Sequence, residues 1–296
     1  MSDPHVLLKK ATNARDSAEK SFNFFGRRNE LYSNAADLFI QAGNTFRLQK
    51  LNIDAGKALE EAAKIQEQHL QDPDDAANTR LDAFKAYRKD DPAAAARCVE
   101  LAIRQYCSRG NFRRAAGHQE ALAEIYDTEL GNTKAALEAY EQAAGWYEGD
   151  NAPAMANKIW LKVAEMAAVA KDYYKAIDIF ERVAKGAVDN NLMRYSVKDY
   201  LFKAGICHLA SGDNVATQRA LEKYVEIDPT FAGQREYRIL GDLSESVQAS
   251  NVQEFTNRLF MFDQVSKLDR WKTIILTRVK DQIVEAPVDA DEDEFA

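Results

Sequence analysis

A chain of 296 residues is long enough for two average domains, at roughly 150 residues each. Its 39 Lys and Arg against 47 Asp and Glu leave a net charge of −8, which argues against nucleic-acid binding through bulk charge, because phosphate neutralisation needs a basic surface. Hydrophobic residues at 46% beside 29% charged ones exclude a disordered polymer, and only 6 Pro and 13 Gly predict a chain that is mostly helix.

In chain order, the opening Met1-Ser2-Asp3-Pro4-His5 has no basic region followed by an apolar stretch, so no secretory signal is expected. No run approaches the roughly 20 apolar residues that span a bilayer. The expectation is a soluble, intracellular protein that meets membranes only peripherally. Residues 21–28 then place Phe22, Phe24 and Phe25 beside Gly26, Arg27 and Arg28. Two readings stand. The aromatics fold onto the first hairpin as a hydrophobic staple, or they form a loop that dips into a membrane interface while Arg27 and Arg28 meet anionic head groups.

A repeat follows. Small residues recur 40 positions apart at Ala96, Ala136, Ala176 and Ala216, and Gly56 extends the series backwards. A polar turn such as Gly131-Asn132, Lys171-Asp172 or Gly212-Asp213 precedes each of the last three, and an aromatic residue follows four positions later at Tyr140 and Phe180. Ala at a helix crossing lets two backbones approach while larger neighbours fill the groove beside it. One helical hairpin per 40 residues is predicted, with segments such as Gln119–Tyr126 and Asn157–Ala170 as the partner helices. Hairpins this small cannot bury an apolar stripe alone, so they must stack. The prediction is an all-α, tetratricopeptide-like helical-hairpin solenoid over residues 1–228, which overrides the two-domain arithmetic. Beyond Asp228-Pro229 the spacing changes, and segments around Arg235–Leu243, Val252–Phe262 and Lys267–Ile283 predict a C-terminal helical bundle over 229–284. Residues 285–296 carry Glu285, Asp289, Asp291, Glu292, Asp293 and Glu294 with no base, and predict a disordered acidic tail that either solubilises or docks on a basic partner.

Chemistry is sparse along this chain. No glycine-rich phosphate loop is present, and His5, His69, His118 and His208 show no metal-ligand spacing. Cys98, Cys107 and Cys207 are an odd set without metal-type spacing, expected to be reduced and packed between helices. No enzyme activity, cofactor or metal is expected. What rises above background is a series of bases on successive repeats: Arg113 with Arg114, Lys158 with Lys162, Lys198 with Lys203, and Arg235. They are either a solvated face or a stripe that meets an acidic rod.

The order and spacing of Phe112-Arg113-Arg114, Leu122-Ala123-Glu124-Ile125-Tyr126, Ala135–Tyr140, Trp146-Tyr147, Asn157-Lys158, Tyr195–Tyr200, Arg235-Glu236 and Leu268-Asp269-Arg270-Trp271-Lys272 resemble the soluble NSF attachment proteins, most of all the α-type in a fungal-like version. The resemblance covers essentially the whole chain. It implies a non-enzymatic adaptor, several copies of which coat a SNARE four-helix bundle and recruit the hexameric AAA+ ATPase NSF. It implies SNARE contacts at Arg113, Arg114, Lys158, Lys162, Lys198, Lys203 and Arg235. It implies membrane contacts at Phe22, Phe24, Phe25, Arg27 and Arg28, and NSF contacts at Asp213, Glu245 and the tail residues Asp291, Glu292, Asp293, Glu294 and Phe295. Two departures stand out: the family ends in Leu where this chain has Phe295-Ala296, and the Glu cluster beside Glu245 is thinner here.

Overall fold

The computed structural model describes residues 3–21, 26–190 and 193–285. Fourteen α-helices and no strand occur among them. Packing divides the chain into two compact units, Met1–Ala156 and Asn157–Ala296. The first holds α1 (Pro4–Lys20), α2 (Arg27–Leu48), α3 (Asn52–Gln68), α4 (Pro73–Tyr87), α5 (Pro92–Ser108), α6 (Phe112–Glu124) and α7 (Thr133–Gly149). The division falls within α8 (Pro153–Val169). The second unit holds α9 (Tyr173–Val188), α10 (Arg194–Ser211), α11 (Asn214–Ile227), α12 (Arg235–Gln248), α13 (Val252–Val265) and α14 (Arg270–Glu285).

The 40-residue period has a direct structural counterpart. The odd helices α3, α5, α7, α9 and α11 begin at Asn52, Pro92, Thr133, Tyr173 and Asn214. Before α7, α9 and α11, and also before the even helix α6 and before α13, the turn is a residue in the left-handed region followed by an Asp or Asn that caps the helix; α3 and α5 open differently, from Leu51 and Asp91. Gly110, Gly131, Lys171, Gly212 and Ser250 have positive φ, and each is followed by Asn111, Asn132, Asp172, Asp213 or Asn251. Each of those five side chains accepts from the backbone N–H three residues on. The capped N–H is one that the helix itself leaves unpaired, and losing such a cap costs about 1 kcal/mol.

The small residues of the repeat lie where helices cross. Ala136 and Ala176 are fully buried, Ala96 nearly so, and Tyr140 and Phe180 are buried one turn later. Ala216 is only half-buried, and its neighbour Thr217 takes the inward place. At Gly56 the crossing is closest: a Cβ there would lie 2.4 Å from the Tyr87 ring. That ring is 2% exposed and its hydroxyl donates to Glu60 at 2.7 Å, so it cannot swing aside. We expect Gly56→Ala to destabilise the fold by about 1–3 kcal/mol despite the better helix propensity of Ala. Gly145, with open space around its Cα, gives the opposite sign: Gly145→Ala should stabilise by about 1 kcal/mol. Urea unfolding of the two variants measures both.

The last three helices do not continue the repeat. A 3₁₀ turn at Pro229–Gly233 follows α11, and α14 turns back along earlier helices of its own unit. Trp271 Nε1 donates to the Glu165 carbonyl at 2.9 Å, Arg278 to the Ala168 and Val169 carbonyls, and Gln282 to the Ala210 carbonyl. The Val169 and Ala210 carbonyls lie in the last turns of α8 and α10, where the helix supplies no i+4 amide, while Ala168 O also accepts from Lys171 N–H. These bonds give a physical meaning to the Leu268–Lys272 motif, which starts the helix that closes this unit.

Candidate functional surfaces

Every base singled out on the repeat from Arg113 onwards sits on an even-numbered helix, α6, α8, α10 or α12. In the first unit, Arg113 and Arg114 stand in the first turn of α6. Arg113 Nε donates to Asp150 Oδ2 at 2.5 Å. Arg114 lies 4.4 Å above the Tyr106 ring and donates to Asn78 Oδ1 at 3.0 Å. Both guanidinium groups are therefore oriented by the fold, and both residues stay exposed. Two cations at a helix N-terminus oppose the macrodipole, so helix stability does not account for them.

In the second unit, Lys158 and Lys162 occupy one face of α8 at i and i+4, the first exposed and the second half-buried. Lys198 on α10 lies 3.6 Å from Glu236 and 5.3 Å above the Tyr195 ring, with a third of its side chain exposed. Arg235 opens α12 and is exposed. Lys203 differs from these. Its side chain is 12% exposed, and its ammonium holds Glu165 at 2.7 Å and Asp199 at 3.3 Å. Burial alone would lower its pKa, but the two carboxylates outweigh that and raise it. Lys272 of α14 binds the other oxygen of Asp199 and also Asp269, completing a network that ties α8, α10 and α14 together. Lys203 thus has its charge largely buried and committed within the fold.

Asp213 is exposed and caps α11, its carboxylate accepting from Ala216 N at 2.8 Å. Glu245 is 69% exposed and pairs with Arg258 at 3.1 Å, beside Asp242 at 3.4 Å and Glu254 at 2.6 Å from the same guanidinium. Three carboxylates on one Arg leave a local excess of negative charge. The patch that looks thin along α12 is enlarged by Glu254 from α13, which neighbourhood in sequence does not reveal. Phe22, Phe24, Phe25 and the tail residues Asp291, Glu292, Asp293, Glu294 and Phe295 lie outside the described residues. Of their neighbours, Arg27 is exposed, and Arg28 is half-buried with its guanidinium 5.6 Å from the Tyr32 ring centre.

The residues that usually carry chemistry do not converge. Each histidine packs against an aromatic ring: His5 on Phe46, His69 on Tyr32, His118 on Tyr106 and His208 on Tyr224. The three cysteines are free, and burial pushes Cys98 up to about 12. Among the described residues no cluster of three metal-ligating side chains occurs, and no helix is long and apolar enough to cross a membrane.

This framework of hairpins with bases on its even helices has a family counterpart. The model of the family described as "Soluble NSF attachment protein, SNAP" matches residues 2–284. The chain belongs to this family. A "Probable vesicular-fusion protein sec17 homolog" of Neurospora crassa is 53% identical over 284 residues, covering 96% of this chain and 97% of that one. The human "Alpha-soluble NSF attachment protein" is 38% identical over 279 residues, 94% of each chain. Among solved structures, BtubC (BKLC) of P. vanneervenii aligns over 79% of this chain and 94% of its own with a TM-score of 0.40 and 16% identity, and no functional statement follows from so loose a likeness. Members of the family are helical-hairpin solenoids, as the stacked hairpins described above are, and they act as adaptors, not as enzymes.

Beyond the bases and acids read from the sequence, the second unit buries a carboxylate among partners from two other helices. Glu181 of α9 is 7% exposed, accepts a short hydrogen bond from Lys223 of α11 and lies 3.5 Å from His208 Nε2 of α10. Tyr224 is fully buried beside them. These residues are far apart in sequence and share no spacing, so no sequence signal announces them.

Proposed function

We propose that this protein is an adaptor in SNARE complex disassembly: it binds an acidic SNARE four-helix bundle, recruits an NSF-type AAA+ ATPase hexamer and stimulates its ATP hydrolysis, recycling SNAREs for vesicle fusion. The observation that carries this reading is the family match over residues 2–284, supported by exposed bases on even helices of a net acidic chain. Arg113, Arg114, Lys158, Lys162, Lys198 and Arg235 are the proposed bundle contacts. Lys203 serves in this reading as a positioning residue that holds α8 and α14 on α10. Asp213, Glu245 and the tail with Phe295 face the ATPase, and Phe295 replaces the Leu with which relatives usually end. Electrostatic steering sets the encounter, and several copies on one bundle add avidity. In domain terms, the proposed bundle contacts lie in the solenoid 1–228 except for Arg235, and the ATPase contacts lie in 229–284 and the tail 285–296 except for Asp213.

The test is reconstitution with a pre-formed SNARE bundle, an NSF-type ATPase and ATP. Disassembly should depend on this protein, and a chain lacking Asp289 to Ala296 should bind the bundle no less tightly while ATPase stimulation falls. Equal stimulation by the shortened chain would remove the tail from the mechanism, and disassembly without the protein would overturn the reading as a whole.

The aromatic loop is proposed to hold the protein peripherally on cytoplasmic membrane surfaces. A buried Phe is worth about 2 kcal/mol of transferred area, so replacing Phe22, Phe24 and Phe25 by Ser should weaken binding to anionic vesicles well over tenfold. Thermal stability should hardly change. A large fall in melting temperature would instead mark the three rings as a staple, since truncating core Phe costs about 3–5 kcal/mol.

A further inference from the structure

Helices α12 and α13 carry matching stripes. Arg235, Arg238 and Asp242 on the first, and Arg258, Met261 and Val265 on the second, follow i, i+3, i+7 spacing and line one open groove. Ile239 and Phe262 complete its lining. Met261 is 70% exposed, Val265 63%, and Phe260 beside them 64%, a concentration of uncovered apolar surface on a 14-residue helix. Arg258 is already surrounded by Asp242, Glu245 and Glu254. Arg235 and Arg238 are exposed and form no ion pair with any described residue. Met261 and Val265 therefore offer a seat for an apolar side chain, and Arg235 and Arg238 two charges for acidic neighbours, whereas the cluster on Arg258 is already in acidic excess.

We propose that the occupant is this chain's own segment 286–296, with Phe295 seated against Met261 and Val265 and the run Asp291–Glu294 beside Arg235 and Arg238. The chemistry of the segment matches: five acids, no base, and a single aromatic residue at its end. Pro287 prevents α14 from simply continuing, so the segment must take another course. The length suffices. Only four residues separate Val265 from the start of α14, and the 16 residues of α14 span about 24 Å. Ten residues from Glu285 to Phe295 reach about 33 Å when extended, enough to return along the helix to the groove. Tethering places the segment at an effective concentration on the order of millimolar, so even a weak contact is populated. Covering Arg235 makes the tail a competitor of the acidic bundle, a consequence that rests on the reading given under Proposed function. Displacement by the bundle would release Phe295 for the ATPase.

The experiment uses the full chain with benzoylphenylalanine in place of Phe295, irradiated alone at low micromolar concentration. Cross-links within the monomer to the α13 peptide containing Met261 are expected, and their loss in the Arg235→Glu/Arg238→Glu variant, whose sites are exposed and whose helicity is checked by circular dichroism. Absence of that cross-link, its mapping to another helix, or its appearance only in dimers would overturn the proposal, the last pointing to a second copy as the occupant. If the tail covers the groove two-thirds of the time, a chain ending at Glu285 binds the acidic bundle about threefold more tightly than the full chain. A cross-link with unchanged bundle affinity would uphold the docked tail and instead remove Arg235 from the bundle-binding face.

Discussion

Reversing Lys158 and Lys162 together to Glu should abolish capture of an acidic four-helix bundle at moderate salt, and with it disassembly, while the circular-dichroism spectrum stays that of the parent. The two residues share one face of α8 at i and i+4, so both meet the same stretch of a partner laid across that face. Two attractions become two repulsions, and like charges brought together at an interface cost several kcal/mol. A loss of 3 kcal/mol is already more than a hundredfold in affinity. Within the fold the change is small by comparison. Lys158 is exposed and Lys162 half-buried, and charges at such positions contribute about 1 kcal/mol or less. The parent's affinity should also fall as salt rises, because charges at an interface rim are screened over about 8–10 Å. A double Glu variant that still pulls down the bundle would move the binding face away from α8.

The sequence exposes the repeat because its physics is local. A small residue at each crossing recurs every 40 residues, and at α7, α9 and α11 an Asp or Asn cap with a left-handed residue before it lies within a few positions of it. The polar turn at Gly131-Asn132 is visible in sequence for the same reason that it works in structure. Charge partners are not local. Lys158, Lys162, Lys198 and Lys203 look equivalent along the chain, yet Lys203 is held by Glu165, 38 residues away, and by Asp199, which Lys272 of α14 also binds. The i−4 spacing of Asp199 is visible in sequence, but that Glu165 and Lys272 join the pair, and that Lys203 is largely buried, is not. The acidic patch shows the converse: Glu254 reaches Arg258 beside Glu245 only because α12 and α13 pack together. The adaptor function itself was legible through family resemblance, since no catalytic constellation or cofactor motif announces an activity.

The buried carboxylate of Glu181 should give this protein a measurable acid limit. Burial alone would raise its pKa, but the neighbouring His208 imidazole together with the hydrogen bond and ammonium charge of Lys223 outweighs that and holds it near 2, against 4.5 for the free side chain. The remaining neighbour, Tyr224, stays neutral, because burial pushes its phenol well above its ordinary range. A depressed carboxylate stabilises the fold fully above its unfolded pKa and loses that contribution as pH falls towards the folded one. The window is therefore from about pH 4.5 down to about 2, and the full contribution of about 3 kcal/mol is present at pH 7. By pH 3.5 about 1 kcal/mol of it should be gone. Glu181→Gln keeps the shape, removes the titration and leaves Lys223 without its anion. Breaking a buried pair from one side costs about 3–5 kcal/mol, and Lys223, with 44% of its side chain exposed, recovers part of that by turning to water. We expect a loss of about 3 kcal/mol at pH 7 in urea unfolding, and a shallower fall between pH 4.5 and 3.5 than in the parent. A variant as stable as the parent at pH 7, or one that loses stability with acid just as steeply, would show that Glu181 is not the group that joins α9 to α11.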